Sequence, residues 1–254
     1  MRKLRQYVAS ALALSLLGLM SGCGTPGNQV GTADSNVSAP SVKVSSNKTS
    51  ASKPNSKVQL SHLTVMGIGG SIALGDQATN DNGYLQRTFA HFHDTYVNKA
   101  IYGANSTQLA TMYKNDYTNW LSTVHPHVVV ISWGLLNDVL PNTPMSKFNE
   151  YLNQEIKDAL AIHAMVFVVT PPATEFAYTY EKREDMYAQD EMQLVRKMNN
   201  PNVYAFDLLS QMKSYIASHN LKIADLSGDA HHPNDQGHQL AAQILIQDLS
   251  AHFR

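Results

Sequence analysis

Along residues 59–254, short runs of consecutive apolar and β-branched residues alternate with longer segments whose apolar residues recur every three or four positions. The short runs predict strands near Leu63–Ile68, Tyr96–Ile101, His127–Trp133, Met165–Thr170 and Val203–Asp207. The spaced segments predict helices over Thr107–Val124, Met145–His163 and Glu184–Met198, and Pro233 opens a last helix that runs to about His252. Val128-Val129-Val130-Ile131 is apolar at every position, as a strand covered on both faces must be. Parallel neighbours need a crossover and a helix supplies one, so the alternation predicts an α/β protein with a parallel sheet held between helical layers.

The first 58 residues follow a different pattern. Arg2, Lys3 and Arg5 precede an apolar run of 13 residues, Val8 to Met20, too short to span a bilayer. The run ends in Ser21-Gly22-Cys23, and Cys23 is the only cysteine of the chain, which removes internal disulfides and cysteine metal sites from consideration. MSGC resembles the lipobox of bacterial lipoproteins, which implies a signal peptide over residues 1–22 and a membrane anchor through lipidated Cys23, on the extracytoplasmic face. Residues 23–58, rich in Ser, Asn and Lys, cannot bury enough apolar surface to offset their chain entropy and read as a disordered tether. The whole-chain charge of −1, less the +6 carried by residues 1–58, leaves −7 for residues 59–254. That balance argues against nucleic acid as a partner.

Ligands of such folds sit beyond the C-terminal ends of the strands. Gly69-Gly70-Ser71 follows the first predicted strand, Gly103-Ala104-Asn105 the second and Gly134-Leu135-Leu136-Asn137-Asp138 the third. The stretch around Ser71 lacks the third glycine of a dinucleotide fingerprint, and Asp76-Gln77 stands where a phosphate loop needs Lys and Ser/Thr. A nucleophilic serine instead needs a base and a group that orients the base. Asp229-Ala230-His231-His232-Pro233 fits that need, although Asp229 as a plain turn residue before a helix with exposed histidines fits the same pattern. Main-chain N–H groups at Ser71 and Gly103 and the Asn137 amide are donors that can converge on an oxyanion from adjacent strand ends.

In order along the chain, Gly69-Gly70-Ser71, Asn98 to Gly103, Gly134 to Asp138 and Asp229-x-x-His232-Pro233 resemble the four blocks of the SGNH hydrolases, the GDSL-type esterases and lipases, with about 160 residues from serine to histidine. The resemblance implies a flavodoxin-like three-layer α/β/α sandwich with a five-stranded parallel sheet over residues 59–254. It implies Ser71 as nucleophile, His232 as base, Asp229 as its partner, and Ser71, Gly103 and Asn137 as the oxyanion hole. Two positions depart from the family pattern: Gly70 stands where aspartate is usual, and two residues rather than one separate Gly134 from Asn137.

His231 is the rival base, but the Asp-x-x-His-Pro pattern selects His232. His91-Phe92-His93 and His125-Pro126-His127 lack a carboxylate or cysteine at ligand spacing and read as solvent-facing rather than metal-binding. The aromatics of Glu175 to Tyr180 either line an acceptor site for sugars or acyl chains or simply pack. The expected function is an extracytoplasmic serine esterase acting on acyl esters, acetyl among them, on carbohydrate or lipid alcohols, with neither metal nor organic cofactor. A lipase, phospholipase or thioesterase for longer acyl chains is the alternative within the enzymes. A non-catalytic envelope-binding module with a degenerate site is the alternative outside them.

Overall fold

The computed structural model describes residues 59–253, so the expected signal peptide, tether and Cys23 lie outside the described residues. The strands are β1 (Thr64–Gly69), β2 (Thr95–Asn98), β3 (Val128–Ser132), β4 (Met165–Val169) and β5 (Val203–Phe206). The helices are α1 (Ser71–Leu74), α2 (Tyr84–His91), α3 (Ser106–Thr111), α4 (Lys114–Val124), α5 (Leu136–Val139), α6 (Met145–Ala161), α7 (Glu175–Thr179), α8 (Glu181–Met198), α9 (Leu208–Ser218) and α10 (Asp235–His252). All strand pairs are parallel, in the order β2-β1-β3-β4-β5. This is the flavodoxin-like three-layer sandwich expected from the sequence.

The order dictates the layers. From β1 the chain steps one way to β2, crosses back over β1 to β3, and then continues outward to β4 and β5. With right-handed crossovers throughout, α2 falls on one face of the sheet and α3, α4, α6 and α8 on the other. Accordingly α2 packs on α10, which also meets α9, while α6 packs between α3 and α8. Val128 to Ile131 are fully buried at the centre of the sheet, in register with Val65 to Ile68 on one side and Met165 to Val168 on the other.

The segment expected as one helix over 107–124 is two, because the Tyr113 N–H bonds the Gln108 carbonyl, five residues back, and the next helix starts from Tyr113 itself. β2 ends at Asn98 rather than Ile101, although Lys99 and Ile101 still donate to the Gly67 and Gly69 carbonyls of β1. Of the helices absent from the sequence-based expectation, the two longest, α2 and α9, bury Tyr84, Leu85 and Phe89, and Leu208, Leu209, Met212 and Ile216. Pro233 lies one residue before the cap of α10, where the Asn234 side chain accepts from the N–H groups of Gln236 and Gly237.

Four carboxyls are enclosed on the α6/α8 side: Asp138 of α5, Glu155 of α6, and Glu184 and Glu191 of α8. Trp133 Nε1 donates to Glu155 at 2.9 Å and Ser106 Oγ to Asp138 at 3.2 Å, whereas neither Glu191 oxygen has a partner among the described residues. Burial, above all, raises the pKa of all four, that of Asp138 to about 6, that of Glu184 to about 8, and those of Glu155 and Glu191 well above the usual range. A carboxyl raised in the folded state contributes fully below its unfolded value and loses that contribution as pH rises through the folded one, a window from 4.5 to about 8 for Glu184. His238, lowered by burial to about 4, acts oppositely, but only below its ordinary 6.5. Thermal stability is therefore expected to fall as pH is raised from 6.5 to 8. Glu184→Gln is expected to flatten the slope by up to about 1.4 kcal/mol per pH unit, measured by urea unfolding at each pH.

Candidate active site

The site forms where the strand order reverses, at the C-terminal ends of β1 and β3. Gly69 leaves β1 at φ +153°, and a Cβ there would stand 1.9 Å from the Ser132 carbonyl oxygen, so only glycine permits the turn. Two residues later Ser71 opens α1, and its N–H is one of the first-turn donors that have no intrahelical acceptor. The far end of α1 is tied down by Asn98 of β2, whose Nδ2 donates to the Leu74 carbonyl at 3.0 Å. Gly103, after β2, has φ +73°, a left-handed conformation that favours glycine although an added Cβ would meet nothing within 4 Å.

Asn137 is held from both ends. Its Nδ2 donates to the Ala104 carbonyl at 3.0 Å, and its own carbonyl accepts from Asn105 Nδ2 at 3.0 Å. Asn105 is in turn fixed by a reciprocal capping box with Gln108 at the start of α3. The Asn137 amide, with one hydrogen committed to Ala104, retains a second for a ligand.

His232, the base expected from the sequence, comes from the turn before α10. Asp229 Oδ1 accepts from the backbone N–H of His231 at 2.7 Å and of His232 at 2.9 Å, which folds residues 229–232 into a tight loop. The Phe176 N–H of α7 donates to the Ala230 carbonyl at 2.9 Å and braces that loop from outside. Within it, His232 Nδ1 lies 2.9 and 3.0 Å from the two Asp229 oxygens, and Nε2 lies 2.8 Å from Ser71 Oγ. Partial burial works to raise the Asp229 pKa, but the bonds from His232 and the two backbone N–H groups outweigh it and hold the carboxyl below its usual value. An ionised Asp229 accepts a hydrogen bond from Nδ1–H, which leaves Nε2 as an acceptor for the serine hydroxyl. That is the arrangement general-base activation of a serine requires.

The profile of the GDSL-like lipase/acylhydrolase family matches residues 68–240, from the end of β1 into α10. The chain belongs to this family. As a GDSL-like acylhydrolase it is an enzyme of ester-bond hydrolysis. Among solved structures it resembles a member of the lipolytic G-D-S-L family from Veillonella parvula, with a TM-score of 0.59 and 18% identity over 74% of this chain and 98% of that one. It also resembles the psychrotrophic esterase EstA from a Pseudoalteromonas species, with a TM-score of 0.54 and 21% identity over 74% and 97% of the two chains. A carbohydrate esterase of family 3 from Talaromyces cellulolyticus gives 0.55 and 16% over 74% and 97%. At these identities the likeness is one of fold. No curated protein matches the sequence significantly.

Both departures from the GDSL pattern have structural counterparts. The residue added between Gly134 and Asn137 is taken up by a γ-turn, in which Leu135 adopts φ +51° and the Leu136 N–H donates to the Gly134 carbonyl at 2.5 Å. The buried Leu135 carries the strain, and Asn137 keeps its contact with the loop after β2. At Gly70 a Cβ would stand 3.1 Å from the Ala104 oxygen and in ordinary contact, 3.4 Å, with Asn137 Nδ2, so a side chain there would crowd the carbonyl that holds the Asn137 amide. With glycine present, the Ala104 carbonyl holds the Asn137 amide and Asn105 holds the Asn137 main chain.

Among the other sequence candidates, His231 makes an edge contact with Phe176 and does not reach Ser71. His127 Nδ1 accepts from the Thr64 N–H at 3.0 Å, and His93 stacks on His62. In the 175–180 segment Phe176 is buried against Tyr180, while Tyr178 and Tyr180 stay exposed. Sequence reasoning missed three residues. The Tyr102 ring stacks on His232 at 6.4 Å and 27°, His238 bonds the Asp76 carbonyl, and Asp76 Oδ2 lies 3.5 Å from His232 Nε2. In the sequence Asp76 bears only on phosphate binding, and nothing in its spacing points to His232.

Proposed function

We infer that the protein is a serine esterase in which Ser71 attacks the ester carbonyl, His232 takes the hydroxyl proton and returns it to the departing alcohol, and Asp229 orients and stabilises the imidazolium. The observation that carries this reading is the continuous chain Asp229–His232–Ser71, with links of 2.9 and 2.8 Å, at the mouth of the β1/β3 reversal. The N–H groups of Ser71 and Gly103 and the free Asn137 amide hydrogen receive the oxyanion. Water then releases the acid from the acyl-serine.

A short acyl group such as acetyl suits the open surface next to Gly103. One observation favours a longer chain: a cavity of about 360 Å³, lined by Asn105, Pro141, Thr143, Pro144 and Tyr151, lies on the Asn137 side. A second cavity, about 500 Å³ beside β5 and lined by Met192, Val195, Tyr204 and Asp207, touches none of the candidate residues. Attachment outside the cytoplasm through lipidated Cys23 belongs to the same proposal. Its support is the apolar run before the only cysteine, and among the described residues no helix is long and apolar enough to cross a membrane.

p-Nitrophenyl esters from acetate to decanoate, tested on the full chain, distinguish the acyl classes, with acetate and propionate expected to be turned over fastest. Ser71→Ala is expected to abolish turnover with unchanged circular dichroism, and persistent activity would contradict the nucleophile assignment. Asn137→Ala is expected to lower kcat by roughly 10²–10³-fold with little change in KM, the signature of a donor engaged in the transition state.

A further inference from the structure

Beside the nitrogen that serves Ser71 stands a carboxylate that the proposed mechanism does not use. Asp76 Oδ2 is 3.5 Å from His232 Nε2, the same atom that lies 2.8 Å from Ser71 Oγ. This placement is built in. Gly75 and Asp76 close α1 with paired bonds, Gly75 N–H to the Ile72 carbonyl at 3.1 Å and Asp76 N–H to the Ser71 carbonyl at 3.0 Å. The carbonyl of Asp76 accepts from His238 Nε2 at 3.1 Å, and His238 Nδ1 accepts from the Tyr84 N–H at 3.2 Å. His238 is fully buried, so two backbone groups lock its ring and its ring locks Asp76. No lysine or arginine among the described residues pairs with the Asp76 carboxylate, and Arg87 of α2 is bound to Asp235 instead.

We propose that Asp76 selects the alcohol portion of the ester, favouring uncharged, hydroxyl-bearing alcohols of the polyol and sugar type and rejecting phosphate-bearing ones. The proposal rests on His232 acting as the base of Ser71. His232 Nε2 must approach the departing oxygen to return its proton, which brings the first atoms of the alcohol within a few ångströms of Asp76. A hydroxyl there donates to the carboxylate in a charge-assisted bond. A phosphate there meets the negative charge of Asp76, with which no lysine or arginine among the described residues pairs, across a partly desolvated gap. Tyr102, 60% exposed and stacked on His232, adds a flat aromatic surface beside the same position, suited to the apolar face of a sugar ring. The selection concerns the alcohol alone, so it is tested at constant acyl group.

Glycerol 1-acetate and 1-acetylglycerol 3-phosphate share acyl group and carbon skeleton and differ in the phosphate alone. The full chain is expected to prefer the first by at least about tenfold in kcat/KM, equivalent to about 1.4 kcal/mol in transition-state binding, with the preference shrinking as salt is raised. Asp76→Asn is expected to bring the ratio to within about threefold. The ratio is insensitive to a general loss of activity, so a purely structural role for Asp76 would leave it where it was. Failure of the wild type to hydrolyse glycerol 1-acetate, equal use of the two esters, or a ratio unmoved by Asp76→Asn would overturn the proposal. Ser71→Ala separates the two levels: its residual turnover of glycerol 1-acetate would sink the serine reading itself, whereas an inactive Ser71→Ala with an unmoved Asp76→Asn ratio sinks the role of Asp76 alone.

Discussion

The reversal of strand order between β1 and β3 is the constraint on which the rest depends. Chains leaving adjacent parallel strands toward opposite faces open a crevice that no helix fills, and the three strand-end loops of β1, β2 and β3 meet there. Gly69 makes the first loop tight enough for Ser71 to begin a helix beneath the crevice, Asn98 anchors that helix to β2, and Asn105 ties the loop after β2 to the loop after β3. Each loop holds its neighbour with side-chain amides acting on backbone carbonyls, so the loop positions are fixed by one another.

His232 reaches this crevice from the far end of the chain, and the packing that brings it there is ordinary core packing. α10 lies on α2, and the turn before α10 is closed by Asp229, which accepts two backbone N–H groups and the His232 ring with one carboxylate. A single side chain thus both shapes the turn and orients the His232 ring. The same economy appears at Asp76, whose backbone ends α1 while its carboxylate faces His232.

Strand positions were legible because the three central strands, β1, β3 and β4, are buried and must be apolar at consecutive positions, as Val128 to Ile131 are, while the edge strands β2 and β5 are only partly buried. Helices α6, α8 and α10 showed in their spacing for a related reason. α2 and α9 also bury one face, but at 8 and 11 residues, against 17 or 18 for the three longer helices, they repeat the spacing over too few turns to stand out. The break at Tyr113 depends on a main-chain bond to Gln108 that side-chain spacing does not encode. At the site, Ser71, Gly103 and Asn137 stood out as glycine- and amide-rich strand ends, and Asp229 and His232 as a spaced pair. The uptake of the extra leucine by a γ-turn at Leu135 was not legible, because a buried leucine at positive φ is tolerated only when the surrounding loops hold it there. Asp76 and His238 were invisible for a different reason: they meet across 162 positions, and nothing local marks either one.

The account turns on one chemical statement, that Ser71 Oγ is the atom His232 makes nucleophilic. Treating the full chain with p-nitrophenyl ethylphosphonate, followed by intact-mass and peptide mass spectrometry, addresses it directly, because a phosphonyl group is retained by the oxygen that attacks it. One adduct per chain on the peptide containing Ser71 is expected, forming at least about 100-fold more slowly when His232 is replaced by alanine. An adduct on another residue, or labelling of Ser71 at an unchanged rate in His232→Ala, would contradict it.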